Sequence, residues 1–245
     1  MEHCCHHHDE NKQDMKSLCI SIVPIFNHLQ YDEMLEIVKT SKTKTFKKGE
    51  MVFRAGEPSE HLYIVHKGQV KIYRLSESGK EQIIRIMEPG DFMGQLSLFT
   101  DESLTSYAET MKDTEICAIH KSEMKEMLLS NPSISLKIIE EFSRRLNETE
   151  KNIESISSQD SEKRLASYLL ELSAADEKTG SKYEAIQITL PMSKKDLASY
   201  IGMTRETLSR RLSSFQDQGL ISMSGQRKIT ILDVDGLNEI ENGEN

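Results

Sequence analysis

The hydrophobic positions of this chain change period along its length, and each change marks a different kind of structure. Between Lys47 and Ile119 they fall in short β-branched and aromatic runs: Met51-Val52-Phe53, Leu62-Tyr63-Ile64-Val65, Val70-Lys71-Ile72-Tyr73 and Gln82-Ile83-Ile84-Arg85-Ile86. These read as strands. Gly49, Gly56, Gly68, Gly79 and Gly90 punctuate them at nearly regular intervals, the rhythm of an antiparallel barrel or jelly roll that turns at each glycine. Ser76-Glu77-Ser78-Gly79 has the composition of a hairpin turn. An unspecialised β-sandwich has the same spacing.

After Asn131-Pro132 the pattern turns helical, with no Gly or Pro until Gly180. Ile139, Leu146 and Ile153 recur every seventh position, and Phe142, Thr149 and Ile156 follow each of them by three. With Glu, Lys and Arg around it, this a/d seam predicts a long parallel dimerisation helix over 131–158. A helix packed on its own domain is the alternative. Ser157-Ser158-Gln159-Asp160-Ser161 reads as a polar hinge that caps a new helix starting near Glu162.

From Ser193 the apolar residues shorten into two helical stripes. Ser193 and Asp196 form a capping pair ahead of Leu197, Ala198 and Ile201. Gly202 permits a tight turn, Thr204 caps a second helix carrying Leu208, Leu212 and Phe215, and Gly219 stops it. Leu220–Met223 and Lys228–Ile231, with Gly225 between them, read as a two-stranded wing. The whole is an α+β chain: a cysteine- and histidine-rich segment 1–18, a β domain 19–130, a dimerisation helix 131–158 and a winged helix-turn-helix 159–245.

Composition sharpens this picture in three places. The 245 residues, 37% hydrophobic and 29% charged, suffice for two cores. No apolar run approaches the roughly 18 residues of a membrane span, so a cytoplasmic protein is expected. The net charge of -9 is unevenly spread. Seven basic residues (Lys194, Lys195, Arg205, Arg210, Arg211, Arg227, Lys228) meet three acidic ones (Asp196, Glu206, Asp217) between Thr189 and Ile231, a local +4 that leaves -13 elsewhere. A DNA-reading module on an acidic body has this asymmetry, and so does a solvated basic face.

On the second helix, Arg205, Glu206, Ser209 and Arg210 share the face opposite Leu208, Leu212 and Phe215. Arginine can give guanine O6 and N7 two hydrogen bonds and glutamate can accept from cytosine N4, each good contact discriminating by roughly 1 to 3 kcal/mol. Alternatively, Glu206 and Arg210 form only an i, i+4 ion pair on a solvated helix. The capping residues Ser193 and Thr204 complete the DNA-binding set, and Lys194, Lys195, Arg211, Arg227 and Lys228 are the phosphate candidates.

Thr204-Arg205-Glu206-Thr207-Leu208-Ser209-Arg210 resembles the recognition helix of the CRP/FNR transcription regulators, and Pro89-Gly90-Asp91-Phe92-Met93-Gly94-Gln95-Leu96-Ser97-Leu98-Phe99 resembles their β-roll cassette. The resemblance runs from about Leu18 to Ile231 and is closest to the FNR branch. It implies a cyclic-nucleotide-binding-like β-roll and a homodimer on a palindromic operator with a TGA-containing half-site, TTGAT- or TGTGA-like. Half-sites one helical turn, roughly 34 Å, apart follow from that geometry. It also implies contact with RNA polymerase, through the turn around Ser78, Gly79, Lys80 and Glu81, as an activator would make. Gln95 stands where the family's cyclic-nucleotide binders carry a glutamate, and Leu104 or Thr105 where they carry an arginine, so cAMP binding is not expected.

Cys19 and Cys117 resemble two of the four ligands of the FNR branch's oxygen-labile 4Fe-4S cluster, leaving Cys4 and Cys5 as the others. Adjacent cysteines depart from the family's spacing. Zinc held by thiolates and imidazoles, or a reversible disulfide between an N-terminal cysteine and Cys117, are the alternatives, as is a buried Cys117 with no sensing role. Two other classes stay open: a cyclic-nucleotide-type regulatory subunit of an enzyme or channel, and a metal-handling protein built on His3-Cys4-Cys5-His6-His7-His8. No P-loop, nucleophile elbow or HExxH occurs, so an enzyme is not expected.

Overall fold

Two four-stranded antiparallel sheets account for the glycine-punctuated region. The computed structural model describes residues 20–58, 60–95, 99–100, 102–158, 160–176 and 186–243, with the side chains of 151–158 and 175–176 left aside. It divides into two units, residues 1–146 and 147–245, each described by itself.

In the first unit a short helix, α1 (Tyr31–Thr40), precedes β1 (Lys42–Phe46), β2 (Met51–Phe53), β3 (His61–Lys67), β4 (Val70–Leu75), β5 (Glu81–Met87), β6 (Phe92–Met93), β7 (Tyr107–Thr110) and β8 (Thr114–His120). Helices α2 (Lys121–Ser130) and α3 (Pro132–Ser158) follow, the second running on into the other unit. The sheets run β1-β8-β3-β6 and β2-β7-β4-β5.

Strand β3 lies inside its sheet and is covered on both faces, which is why Leu62-Tyr63-Ile64-Val65 reads as an unbroken apolar run. Tyr63 and Val65 face the interior between the sheets with Val70, Met87, Ala108 and Ile116. Leu62 and Ile64 point the other way, to a second core with Phe26, Phe92, Met124, Ile134 and Ile138. Gly94 (φ 80°) lies so close to β3 that a Cβ there would stand 2.5 Å from the His61 carbonyl oxygen. Only glycine combines that backbone with that approach.

Two polar side chains of α3 join its buried face. Ile134, Ile138, Glu141 and Arg145 recur at steps of four, three and four and are all buried. The Arg145 guanidinium covers the Phe92 ring at 4.2 Å, donates to the Phe92 carbonyl at 3.1 Å and donates to Glu141 at 2.6 Å. Burial lowers its pKa, and Glu141 opposes that shift. For Glu141 burial acts in the raising direction, but the hydrogen bonds from Arg144 and Arg145 outweigh it and leave the carboxyl below its ordinary value.

The second unit comprises α4 (Ser161–Asp176), β9 (Ile186–Thr189), α5 (Lys194–Tyr200), α6 (Arg205–Asp217), β10 (Ile221–Ser224), β11 (Lys228–Ile231) and α7 (Val234–Asn242). The wing sheet has three strands, β10-β11-β9, not two. Strand β9 alternates Ile186, Gln187, Ile188 and Thr189, a period-two signal, and Ile188 is buried. Helix α7 begins on an Asp233 cap, whose Oδ1 accepts from the Gly236 N–H at 2.9 Å, and packs on α4. Among the described residues no helix is long and apolar enough to cross a membrane.

Candidate nucleic-acid interface

Helix α6 is fixed from beneath and bare above. Leu208, Leu212 and Phe215 are fully buried. The Thr204 Oγ1 accepts from the Thr207 N–H at 3.1 Å and so satisfies one of the donors that a helix start leaves open. Gly202 turns the chain from α5 at φ 72°, a conformation that costs a residue with a Cβ far more. Glu206 and Arg210 project from the opposite face, Ser209 from its flank and Arg205 from the first turn, and all four are exposed, the placement that base-edge readout requires.

The remaining candidates separate into two groups. Arg227 and Lys228 are exposed at the β10–β11 turn, and Lys195 is exposed on α5. Ser193 caps α5: its Oγ accepts from the Asp196 N–H at 3.2 Å while its hydroxyl donates to Asp196 Oδ2 at 2.6 Å. Lys194 is half-buried, its Nζ 3.5 Å from the Met223 sulfur.

Arg211, a phosphate candidate by sequence, is among the described residues the one of these cations tied to carboxylates. It turns away from the exposed face of α6 and donates to Glu162 at 2.7 Å, to the Ser161 hydroxyl at 3.1 Å and to Asp160 at 3.3 Å. Arg164, unnoticed in the sequence, donates to the carbonyl of Ile201 at 3.0 Å and that of Gly202 at 3.4 Å, the carbonyls that α5 leaves at its end. The acidic start of α4, Asp160 and Glu162, was the available signal for Arg211, although spacing alone sets no partner for it; the carbonyl contacts of Arg164 have no sequence signal.

Two models match this architecture in order: a cyclic nucleotide-binding domain over residues 43–131 and a Crp-like helix-turn-helix domain over residues 163–240. The chain is 30% identical over 226 residues to a probable transcriptional regulator, flp, of Lacticaseibacillus casei, covering 92% of this chain and 99% of that one. It is likewise 30% identical over 226 residues to the anaerobic regulatory protein of Haemophilus influenzae, covering 92% and 85%. The chain belongs to the CRP/FNR family of transcription regulators. Among solved structures, FixK2 from Bradyrhizobium japonicum superposes with a TM-score of 0.68 at 26% identity, covering 82% of this chain and 97% of that one. As a member of the CRP/FNR family the chain is a transcription regulator with a DNA-binding helix-turn-helix.

The residues expected from the sequence to sense oxygen or redox state fall unevenly. Cys117 lies on β8, fully buried, facing the core shared by Leu62, Ile64, Phe92 and Ile138. Ile20, the residue that follows Cys19, belongs to the same core. Cys4, Cys5 and Cys19 themselves lie outside the described residues, as does the histidine tract. Among the described residues no group of three His, Cys, Asp or Glu side chains is disposed to hold a metal ion. Leu104 packs against the apolar interior of the roll, and the Thr105 hydroxyl accepts from Arg74 at 3.0 Å. Lys80 is exposed on the β4–β5 hairpin, whereas Glu81 pairs with the buried Lys71 at 3.2 Å.

On α3, Ile139 and Leu146 are 59% and 60% exposed, and Leu136, one turn earlier, is 63% exposed. Thr149 is exposed too. Phe142 is half-buried: it leans on its own core and meets Phe99 edge-on at 6.1 Å. The apolar stripe that this unit leaves uncovered is therefore Leu136, Ile139 and Leu146. The side chains of Ile153 and Ile156 lie outside the described residues.

Proposed function

We propose that two copies of this chain join along the exposed apolar stripe of α3 and present two α6 helices to a palindromic operator with a TGA-containing half-site, TTGAT- or TGTGA-like. The observation that carries the reading is the combination on α6 of a fully buried apolar face with four exposed side chains, Arg205, Glu206, Ser209 and Arg210, that hold the donors and acceptors of major-groove readout. Arg227, Lys228 and Lys195 add sequence-blind phosphate contacts. Arg210→Ala tests the reading: it should weaken the specific site by about 1 to 3 kcal/mol and random DNA much less. Equal losses on both would overturn direct readout.

Operator binding is switched by oxygen or redox state through Cys117 and the N-terminal cysteines. Its support is the resemblance to the FNR branch, the name of the Haemophilus influenzae relative, and the core that Cys117 shares with Ile20 beside α3. A 4Fe-4S cluster needs four ligands, and the described residues supply one thiol; the fit rests on Cys4, Cys5 and Cys19. Such a cluster, when bound, would supply oxygen lability. The adjacency of Cys4 and Cys5 favours a second reading, a thiol-disulfide or zinc-responsive switch of the same fold. Anaerobic purification with iron, sulfide and zinc analysis separates these readings, and operator affinity indifferent to oxygen and to thiol oxidants would reject them all. Leu104 or Thr105 stands where the family's cyclic-nucleotide binders carry an arginine, and Leu104 packs into the apolar interior of the roll, so cAMP should not bind; a low-micromolar Kd by calorimetry would contradict this. RNA polymerase contact, cytoplasmic location and activation complete the proposal, with Lys80 the exposed contact and Glu81 reassigned to hold Lys71.

A further inference from the structure

We propose that Arg211 is a positioning residue for operator recognition, tying the DNA-reading helix α6 to the first turn of α4 and so to the segment that leaves α3. This rests on the reading of α6 as the base-reading helix.

Three nitrogens of the guanidinium are committed: Nε to the Ser161 hydroxyl at 3.1 Å, Nη1 to Glu162 Oε2 at 2.7 Å and Nη2 to Asp160 at 3.3 Å. A planar fork held at three points fixes direction as well as distance. The hydrogen bond from the Ser161 hydroxyl, backbone amides and the charge of Arg211 together hold the Asp160 carboxyl below the usual carboxylate range, so it is ionised at neutral pH. One guanidinium facing two carboxylates leaves a net negative cluster, which repels a phosphate instead of neutralising it.

The tie runs in both directions. Arg164, in the same first turn of α4, donates to the Ile201 and Gly202 carbonyls at the turn between α5 and α6. The start of α4 thus holds the helix-turn-helix motif at its turn and again halfway along α6. Asp160 follows the last residue of α3, Ser158, by two positions. Arg210, a reading residue, is the sequence neighbour of Arg211, exposed and about 100° around the helix from it. Loosening Arg211 lets α6 tilt on its apolar contacts and moves Arg210 off its base.

The decisive test exploits a difference of sign. If Arg211 were a phosphate contact restrained by Glu162, then Glu162→Gln would free it and tighten DNA binding. If Arg211 positions α6, the same change weakens it. Full-length protein would be titrated by fluorescence anisotropy against an operator obtained by selection from random duplexes, and against random DNA, over a salt series. Arg211→Met and Glu162→Gln should each lower operator affinity about ten-fold. Both should leave random-DNA affinity and the slope of log affinity against log salt unchanged. The reciprocal exchange, Arg211→Glu with Glu162→Arg, should recover most of the loss. A salt slope smaller by about one for Arg211→Met, with equal losses on random DNA, would overturn the proposal. Tighter binding by Glu162→Gln would overturn it as well. Should Arg211→Met fail to fold, the isosteric Glu162→Gln carries the test. Arg210→Ala in parallel keeps the two readings apart: if it spares the operator-to-random ratio, the base-reading role of α6 fails, whereas Arg211 is still judged by the sign of the Glu162→Gln effect.

Discussion

Arg145 in the first unit and Arg211 in the second are both arginines that bridge a helix to a neighbouring segment, yet they sit in different media. Arg145 is 8% exposed and its main carboxylate partner, Glu141, is 8% exposed, whereas Arg211 is 31% exposed and Asp160 61%. The buried pair is surrounded by Phe92, Ile134 and Ile138, where an uncompensated charge costs several kcal/mol. The outer pair is screened by water and salt, so its strength is modest and its value lies in direction. One unit uses a charge as part of its packing, and the other uses charges as a surface to be read.

The largest effect should come from reversing the character of the α3 stripe. Leu146, 60% exposed on a face that includes Leu136 and Ile139, becomes a buried contact if two copies join there. Leu146→Asp would then place carboxylates in an apolar seam without partners and weaken association by about 4 kcal/mol per dimer. Sedimentation velocity should show monomers; unchanged dimers would put the interface elsewhere. On the opposite face of the helix, Arg145→Ala should destabilise the first unit by about 3 kcal/mol, since it removes the ring contact and leaves Glu141 with Arg144 alone. Urea unfolding measures this, and a loss below about 1 kcal/mol would mean that the clamp is solvated after all.

The wing should respond more weakly and in another variable. Lys228→Ala, at an exposed position of the β10–β11 turn, should reduce the salt slope of DNA binding by about one and weaken all sequences alike. Its unfolding free energy should stay within about 0.5 kcal/mol of the parent. A sequence-dependent loss would move Lys228 into the reading set.

The same contrast of media decides what was legible in the sequence. Strands β2 to β5, the long α3 and the α5–turn–α6 motif were readable because caps, glycines and apolar periods are local features. The exposure of Glu206 and Arg210 followed from helical spacing, since a face opposite three buried positions has to be outside, whereas Arg205 shares the spacing of Leu208 and Leu212 and is exposed because it opens the helix. What escaped depends on who covers whom. Phe142 fits the heptad by spacing, but Phe99 and its own core claim it. Leu136 lies one turn ahead of Ile139 and outside the seven-residue repeat, whose preceding position is Ser135. Strand β9 was missed although Ile186 and Ile188 alternate correctly, and helix α7 although Asp233 caps its start and Gly243, at φ 78°, ends it. Arg211 looked like one more cation of a basic patch; its carboxylate partners lie some fifty positions away in sequence, beyond any local pattern.

The smallest expected effect isolates the cost of charge in the two settings. Asp91, in the cassette beside Phe92, is half-buried, and its Oδ2 accepts from the Glu88 N–H at 2.8 Å. Burial raises its pKa above the ordinary carboxylate value; the Glu88 hydrogen bond and the charges of Arg145 and Arg85 oppose this, and Glu141 adds to it. An acid with a raised folded pKa is harder to ionise in the folded protein than in the unfolded chain. Below the unfolded value near 3.9 both states are protonated and no difference arises. As pH rises through the window between the unfolded and folded values, stability is lost, and above it the loss is complete. Asp91→Asn keeps an acceptor for the Glu88 amide and cannot ionise. It should match the parent at about pH 3.5 and be more stable at pH 7, by less than about 1 kcal/mol. Asp160 gives the opposite sign, because its pKa is lowered, chiefly by the Ser161 hydroxyl and further by Arg211. Asp160→Asn should therefore cost stability at pH 7 and lose its effect as pH falls through the folded value. Urea titrations of both variants at the two pH values measure the pair. A less stable Asp91→Asn at pH 7 would mean that Arg145 and Arg85 more than offset burial, and that the first unit holds this charge as favourably as the second holds its own.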